Sequence, residues 1–223
     1  MCIRDRLSIV YFVAFNLRTY FRKSHSFEIP IICIGNIVIG GSGKTSIALS
    51  LIKMLPDKKI VVLLKGYRGR LKGTIKVDKT KHSAIDTGDE ALLYARVGTT
   101  YICSIRKDAI DTIIKIEKPD LIILDDGLQD SSINKSKSIV AINGRRGFGN
   151  KLLLPAGPLR QNILSTIHKD YIFLILGEDK TNILSKYSNS FFKAEIVSEI
   201  DGNNRKIVAF SGIGDNESFF QTL

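Results

Sequence analysis

The sequence predicts an α/β fold built on a mostly parallel β-sheet with helices on both faces. Two patterns carry this. Short runs rich in Ile, Val and Leu alternate along the chain with segments of helical composition. The runs are apolar throughout rather than alternating with polar residues, as strands buried on both faces are. With 44% hydrophobic and 25% charged residues, the 223-residue chain has the composition of a globular protein. That excludes disorder, collagen-like repeats and a multispan membrane protein, and the length suits one large domain or one domain and part of another.

The first element is the apolar stretch 7–21 (LSIVYFVAFNLRTYF), flanked or interrupted by Arg4, Arg6, Arg18, Arg22 and Lys23. A spanning helix needs about 20 predominantly apolar residues, so this run is short for crossing a bilayer. Its charged start has the outline of a signal peptide, but no small-residue cleavage site follows. A basic-flanked helix lying in the membrane interface fits better; a helix packed on the domain is the other reading. Residues 1–24 are therefore set apart as an interfacial helix, with 1–6 (MCIRDR) expected to be foreign to it.

A core follows at 25–165. Strands are expected at 29–35 (IPIICIG), 60–64 (IVVLL), 101–104, 121–124 (LIIL) and 138–142 (SIVAI), and helices at 46–55, 89–97 and 107–117, the first and last stopped by Pro56 and Pro119. Residues 166–223 read as the start of a second, smaller α/β domain, with strands at 171–176 (YIFLIL) and 206–211 (KIVAFS) and a helix from 216. Leu223 comes before that helix could bury a face, so a C-terminal truncation is expected. Cys2, Cys33 and Cys103 are too scattered for a metal cluster or a disulfide framework, and reduced thiols are the simple reading.

Chemistry concentrates at strand ends, where ligands bind in such folds. After the first core strand comes GNIVIGGSGKT, residues 35–45. Small residues at Gly40, Gly41, Ser42 and Gly43 let backbone N–H groups curl around a phosphate, and the next helix adds its positive end. Val38 and Ile39 complete the expected nucleotide-binding loop, Lys44 reaches the β- and γ-phosphates, and Thr45 ligates Mg²⁺. This makes the fold P-loop NTPase-like, although Val38 stands where the strict pattern has its first glycine. Opposite lies LILDDGLQ. Asp125 is the expected metal-side carboxylate, and Asp126 a supporting ligand or proton handler. A plain Asp-Asp-Gly turn is the bland alternative.

Other clusters are more open. Lys65, Arg68 and Arg70 in KGYRGR suit phosphates or a lipid surface, or form a solvated loop. On spacing alone, Asp89 and Glu90 read as carboxylates at a helix N-terminus. The Gly/Pro-rich stretch 143–160 is long enough to be functional.

In order, GNIVIGGSGKTS, KGYRG, GDEALLYAR, LILDDGLQ, GRRGFGN, LLPAGPLR and FSGIGDNESFF resemble the tetraacyldisaccharide 4'-kinase family, the lipid A 4'-kinases of Gram-negative bacteria. The resemblance runs from about residue 7 to the end. It implies ATP- and Mg²⁺-dependent phosphorylation of the 4'-hydroxyl of tetraacyldisaccharide 1-phosphate to lipid IVA. The enzyme would be peripheral or monotopic on the cytoplasmic face of the inner membrane. The lipid A disaccharide precursor and the anionic membrane surface are its expected partners, without nucleic acid or an obligate protein partner. Asp89 then falls on the family's catalytic aspartate, and Arg160 on its phosphate-contacting arginine, completing a catalytic set with Lys44. Glu90, Gln129, Tyr67 and Asn150 become candidate substrate contacts.

The chain departs from the family pattern at several positions. Ala91 stands for a proline, Asp130 for a histidine, and Lys65-Gly-Tyr-Arg-Gly matches only in part. The family's Asp-His-His segment falls beyond residue 223, and His25, His82 and His168 match nothing in it. Nucleotide binding is therefore implied more firmly than phosphoryl transfer. The net charge of +11 suits an anionic surface. Two rivals stand beside the kinase: a membrane-associated nucleotide-switch ATPase, which would want a lysine near Val38 and Ile39, and a nucleic-acid ATPase, for which no module is present.

Overall fold

The computed structural model describes residues 3–167, 171–183, 191–195 and 197. The strand expected at 206–211, the helix after it and His168 lie outside the described residues. Among the described residues eight strands form one sheet: β1 (Ile31–Gly35), β2 (Ile60–Leu64), β3 (Ile75–Lys76), β4 (Thr99–Ile102), β5 (Leu121–Asp125), β6 (Lys137–Asn143), β7 (Tyr171–Leu176) and β8 (Phe191–Ala194). Their order is β3-β4-β2-β5-β1-β6-β7-β8. Every pairing among them is parallel except the short β3–β4 pair. The apolar runs become the buried centre, with every residue of β2 and β5 buried. After residue 165, β7 and β8 continue this same sheet from β6.

Among the described residues six helices accompany the strands: α1 (Ile3–Phe21), α2 (Lys44–Met54), α3 (Ala84–Thr87), α4 (Asp89–Ala95), α5 (Arg106–Glu117) and α6 (Ile163–Ile167). They bury opposite faces of the sheet. Ala109, Ile110 and Ile113 of α5 pack with Phe148 and Leu159 on one side, while Ile47 and Ala48 of α2 and Ala91 and Tyr94 of α4 pack on the other. The α5 helix stops because Lys118 adopts a left-handed conformation (φ 47°) ahead of Pro119. The two-residue β3 and the one-turn α3 are too short to carry a periodic signal, and the sequence does not predict them.

The N-terminal helix is set differently. Of its described side chains, Ser8, Tyr11 and Phe15 are half-buried and the rest are exposed, including Leu7, Ile9, Val10, Val13 and Leu17. No helix among the described residues is long and apolar enough to cross a membrane.

β1 sits between β5, which leads back to β2 and β4, and β6, which leads away to β7 and β8. The carboxyl ends of β1 and β5 therefore flank the point where strand order reverses, the place such sheets use for ligands.

Candidate active site

The loop leaving β1 is built to hold its backbone open. Gly40 (φ 111°) and Gly43 (φ 79°) take conformations that other residues resist. Gly43 is also the N-cap of α2, where a Cβ would lie 2.3 Å from Leu176 Cδ1. Among the described residues no side chain caps α2, and no acidic residue stands in its first turn, so its leading N–H groups face the loop. The buried Asn36 holds the curve from inside: its Nδ2 donates to Ser42 Oγ at 2.9 Å and to Gly40 O at 3.3 Å. Asn36 Oδ1 is buried without a partner among the described residues.

Across the gap, Asp125 is 1% exposed at the end of β5. Tyr94 donates to its Oδ2 at 3.1 Å, and its Oδ1 has no partner among the described residues. Burial, aided by the charge of Glu90, pushes the Asp125 carboxyl up to about 6 against the pull of Lys44. Asp126 turns the chain with φ 50°. Arg160 Nη1 reaches both of its oxygens, at 2.9 Å and 3.0 Å, and Lys44 Nζ stands 3.7 Å from Oδ1. Burial acts to raise this carboxyl, but Lys44, Arg160 and Arg106 outweigh it and hold it below the ordinary range.

Sequence reasoning missed Arg106, which looks like any basic residue at a helix start. It is 4% exposed. Its Nη1 donates to Asp130 Oδ2 at 2.9 Å, and its Nη2 to the carbonyls of Asp126 at 2.9 Å and Asp125 at 3.2 Å. One guanidinium thus clamps the turn that carries both acidic side chains. Asp130 also accepts from Ser132 N at 3.1 Å and Ser132 Oγ at 2.6 Å. Burial opposes its ionisation, but these bonds and Arg106 hold it far below the usual carboxylate range. At the position where a histidine was expected by resemblance, this chain carries the counter-charge of a buried arginine.

Asp89 lies beside this cluster. With Leu64, Tyr67, Arg68, Thr87, Gly88, Glu90 and Ala91 it lines a cleft of about 230 Å³. As the spacing suggests, Asp89 and Glu90 stand in the first turn of α4, where their charge suits the helix N-terminus; the N-cap itself is Gly88, whereas Ser83 and Asp86 form a capping box on α3. Burial raises the Glu90 carboxyl, Lys44 opposes, and Asp89 and Asp126 add to the rise, so Glu90 shares the field of the Lys44–Asp126 pair. Ala91, where the family pattern has proline, is fully buried against the sheet. Tyr67 is 77% exposed at the cleft, with the Arg68 guanidinium 5.5 Å from its ring centre.

Two candidates make contacts within the protein. Gln129 Nε2 donates to Asn36 O at 2.8 Å and to Gln161 Oε1 at 3.2 Å, bracing the phosphate loop. Asn150 donates to Ala156 O at 3.0 Å and accepts from Leu152 N at 3.1 Å, closing the 150–156 turn. Lys44, Glu90, Asp125, Asp126 and Arg160 come together, with Asp89 on the adjoining wall.

The sequence profile of the family described as Tetraacyldisaccharide-1-P 4'-kinase matches residues 5–223. The chain belongs to that family. It is 37% identical over 224 residues to the tetraacyldisaccharide 4'-kinase of Rickettsia typhi, covering 97% of this chain and 69% of that protein. With the Rhodopseudomonas palustris tetraacyldisaccharide 4'-kinase it shares 34% identity over 206 residues, covering 87% of this chain and 61% of the relative. The crystal structure of LpxK from Aquifex aeolicus in complex with ATP superposes with a TM-score of 0.81 at 27% identity, over 97% of this chain and 75% of that one. Membership in the tetraacyldisaccharide-1-P 4'-kinase family bears out the P-loop α/β fold, the ATP-dependent kinase and the phosphotransferase class with an alcohol acceptor. The nucleotide-switch reading is not favoured.

The residues present fit ATP and Mg²⁺. The loop offers glycine-opened backbone and the bare N-terminus of α2 to phosphates, and Thr45, Asp125 and Asp126 are hard oxygen donors of the kind Mg²⁺ takes. The unpartnered Asp125 Oδ1 and the raised Asp125 carboxyl mark a buried anion in need of a cation.

Proposed function

We propose that this chain transfers the γ-phosphoryl group of ATP to the 4'-hydroxyl of tetraacyldisaccharide 1-phosphate, forming lipid IVA at the cytoplasmic face of the inner membrane. One observation supports this above others. Lys44 and Arg160 converge on a single carboxylate, Asp126, next to a cleft walled by Asp89. Two cations gathered at one point suit a transferring phosphoryl group, whose transfer depends on positioning and charge neutralisation.

In this reading the acceptor sugar enters the cleft, and Asp89 orients its hydroxyl and takes its proton. Lys44 and Arg160 exchange Asp126 for phosphate oxygens. Thr45, Asp125 and Asp126 hold Mg²⁺, which when bound neutralises phosphate charge. Tyr94 fixes the Asp125 carboxylate by hydrogen bond, and Glu90 and Tyr67 contact the sugar. The cleft is small, at about 230 Å³, which suits a headgroup whose acyl chains stay in the bilayer.

The exposed apolar surface of α1 and the +11 charge support peripheral attachment to an anionic membrane. An Asp89→Asn variant tests the assignment: turnover is expected to fall about 100-fold or more with ATP affinity retained. Unchanged turnover would remove Asp89 from the reaction.

A further inference from the structure

The segment from Leu153 to Arg160 is held from two sides. On one side is the phosphate loop: Arg160 N donates to Ile37 O at 2.8 Å, and Ile39 N to Pro158 O at 2.9 Å. On the other side is α1. Ser8 Oγ donates to Leu153 O at 2.9 Å and accepts from Ala156 N at 3.2 Å. The Tyr11 hydroxyl donates to Arg160 O at 2.7 Å. Tyr11 therefore bonds the backbone of the same residue whose guanidinium reaches Asp126.

The contact is thin and directional. Ser8, Tyr11 and Phe15 form one stripe at helical spacing and are the half-buried members of the helix, so two hydroxyls supply its polar grip. Outside that stripe the helix exposes apolar Leu7, Ile9, Val10, Val13 and Leu17 together with Arg4, Arg6, Asn16 and Arg18. At its far end, Arg22 stands 3.4 Å from Asp130 Oδ1, and Asp130 is the partner of the Arg106 that clamps the Asp125–Asp126 turn. Tyr11 in the middle of α1 and Arg22 just after it thus each lead by a short chain of polar contacts to Asp126.

The geometry points to Tyr11 as a positioning residue that couples the seating of α1 at a lipid surface to Arg160 and the phosphate loop. This rests on the kinase reading above. Phosphoryl transfer then depends on how the helix is held as well as on whether the protein reaches the membrane. A helix turned or lifted from this stripe withdraws one of the two bonds that hold the Arg160 backbone, the other running to Ile37 O, and the guanidinium shifts from its place on Asp126.

The test is Tyr11→Phe in the full-length protein, assayed with lipid substrate in anionic phospholipid vesicles and normalised to ATP bound per mole. The coupling predicts kcat lower by about five-fold, the scale of one lost hydrogen bond. The KM for lipid, ATP affinity and co-sedimentation with vesicles should each stay within about two-fold. A variant with wild-type kcat overturns the proposal, as does one whose loss lies wholly in KM or vesicle binding.

If the wild-type protein binds ATP and forms no lipid product, the kinase reading fails, and the coupling is read separately by hydrogen exchange. Slower exchange over residues 153–160 when vesicles are added, present in wild type and absent in Tyr11→Phe, supports it. Equal exchange in the two proteins overturns it.

Discussion

Arg160 and Asp126 are joined through one guanidinium nitrogen, Nη1, which lies 2.9 Å from Oδ1 and 3.0 Å from Oδ2 of the carboxylate. With Lys44 at 3.7 Å, Asp126 neutralises in the nucleotide-free protein the two cations that a phosphoryl group would otherwise meet. Replacing it by asparagine leaves both cations without that charge. Asp126→Asn is expected to bind ATP about five-fold more tightly in the presence of a chelator and to turn over about 100-fold more slowly with Mg²⁺. Nucleotide titration and steady-state kinetics read the two effects, and a parallel loss of both affinity and turnover would refute the placeholder role.

The Arg106 clamp is a buried ion pair with Asp130, tied to two carbonyls. Lysine cannot reproduce its planar fork. Arg106→Lys is expected to cost about 3 kcal/mol in urea denaturation, because Asp130 and the carbonyls of the turn lose their donor. A double replacement, Arg106→Met with Asp130→Leu, should recover much of that stability and little of the turnover, since the turn still lacks its clamp. Recovery of both would show that the clamp does not position the acidic turn.

Asp125 makes stability depend on pH with a definite sign. Its carboxyl is raised to about 6 in the folded protein, against about 3.9 when unfolded. Between those values the folded form binds more protons than the unfolded one. The stabilisation is therefore complete below about pH 4 and lost as pH rises through about 6. At neutral pH the buried carboxylate costs on the order of 2–3 kcal/mol in the metal-free protein. Asp125→Asn should be more stable than wild type by that order at about pH 7.5, with the gap closing towards pH 4. Adding Mg²⁺ and ATP should stabilise wild type more than the variant. A gap independent of pH would contradict the raised carboxyl.

Tyr94 supplies the hydrogen bond to Asp125 from a fully buried position. Its own hydroxyl is raised well beyond its ordinary value by burial first and the Asp125 charge next, so it remains a donor. Tyr94→Phe is expected to destabilise the protein by about 1–2 kcal/mol and to lower turnover. Thermal unfolding and kinetics check this, and a neutral outcome would mean that the bond does not orient the carboxylate.

The parts of this architecture legible in the sequence are those with a local signature. The strands β1, β2, β5, β6 and β7 are continuous apolar runs, and the Gly40–Thr45 loop and the Asp125–Asp126 pair announce themselves by composition at strand ends. What stayed hidden depends on distant partners. Arg106 becomes a clamp only because α5 begins next to the end of β5, and Tyr94 reads as one more core aromatic on α4 until Asp125 is placed above it. Gln129 and Asn150 have the chemistry of substrate contacts, yet their amides bond Asn36 and Ala156 of the chain itself. The stripe Ser8–Tyr11–Phe15 was masked by the apolar residues around it.

The central claim is that the Lys44–Arg160–Asp126 cluster serves phosphoryl transfer to a lipid-borne sugar. It is tested most directly by incubating the full-length protein with γ-labelled ATP, Mg²⁺ and tetraacyldisaccharide 1-phosphate in detergent micelles, beside Lys44→Ala and a working family member. The account predicts label on the 4'-oxygen of the disaccharide with wild type, and a loss of about 100-fold or more with Lys44→Ala. ATP binding without labelled lipid, or full transfer by Lys44→Ala, would contradict it.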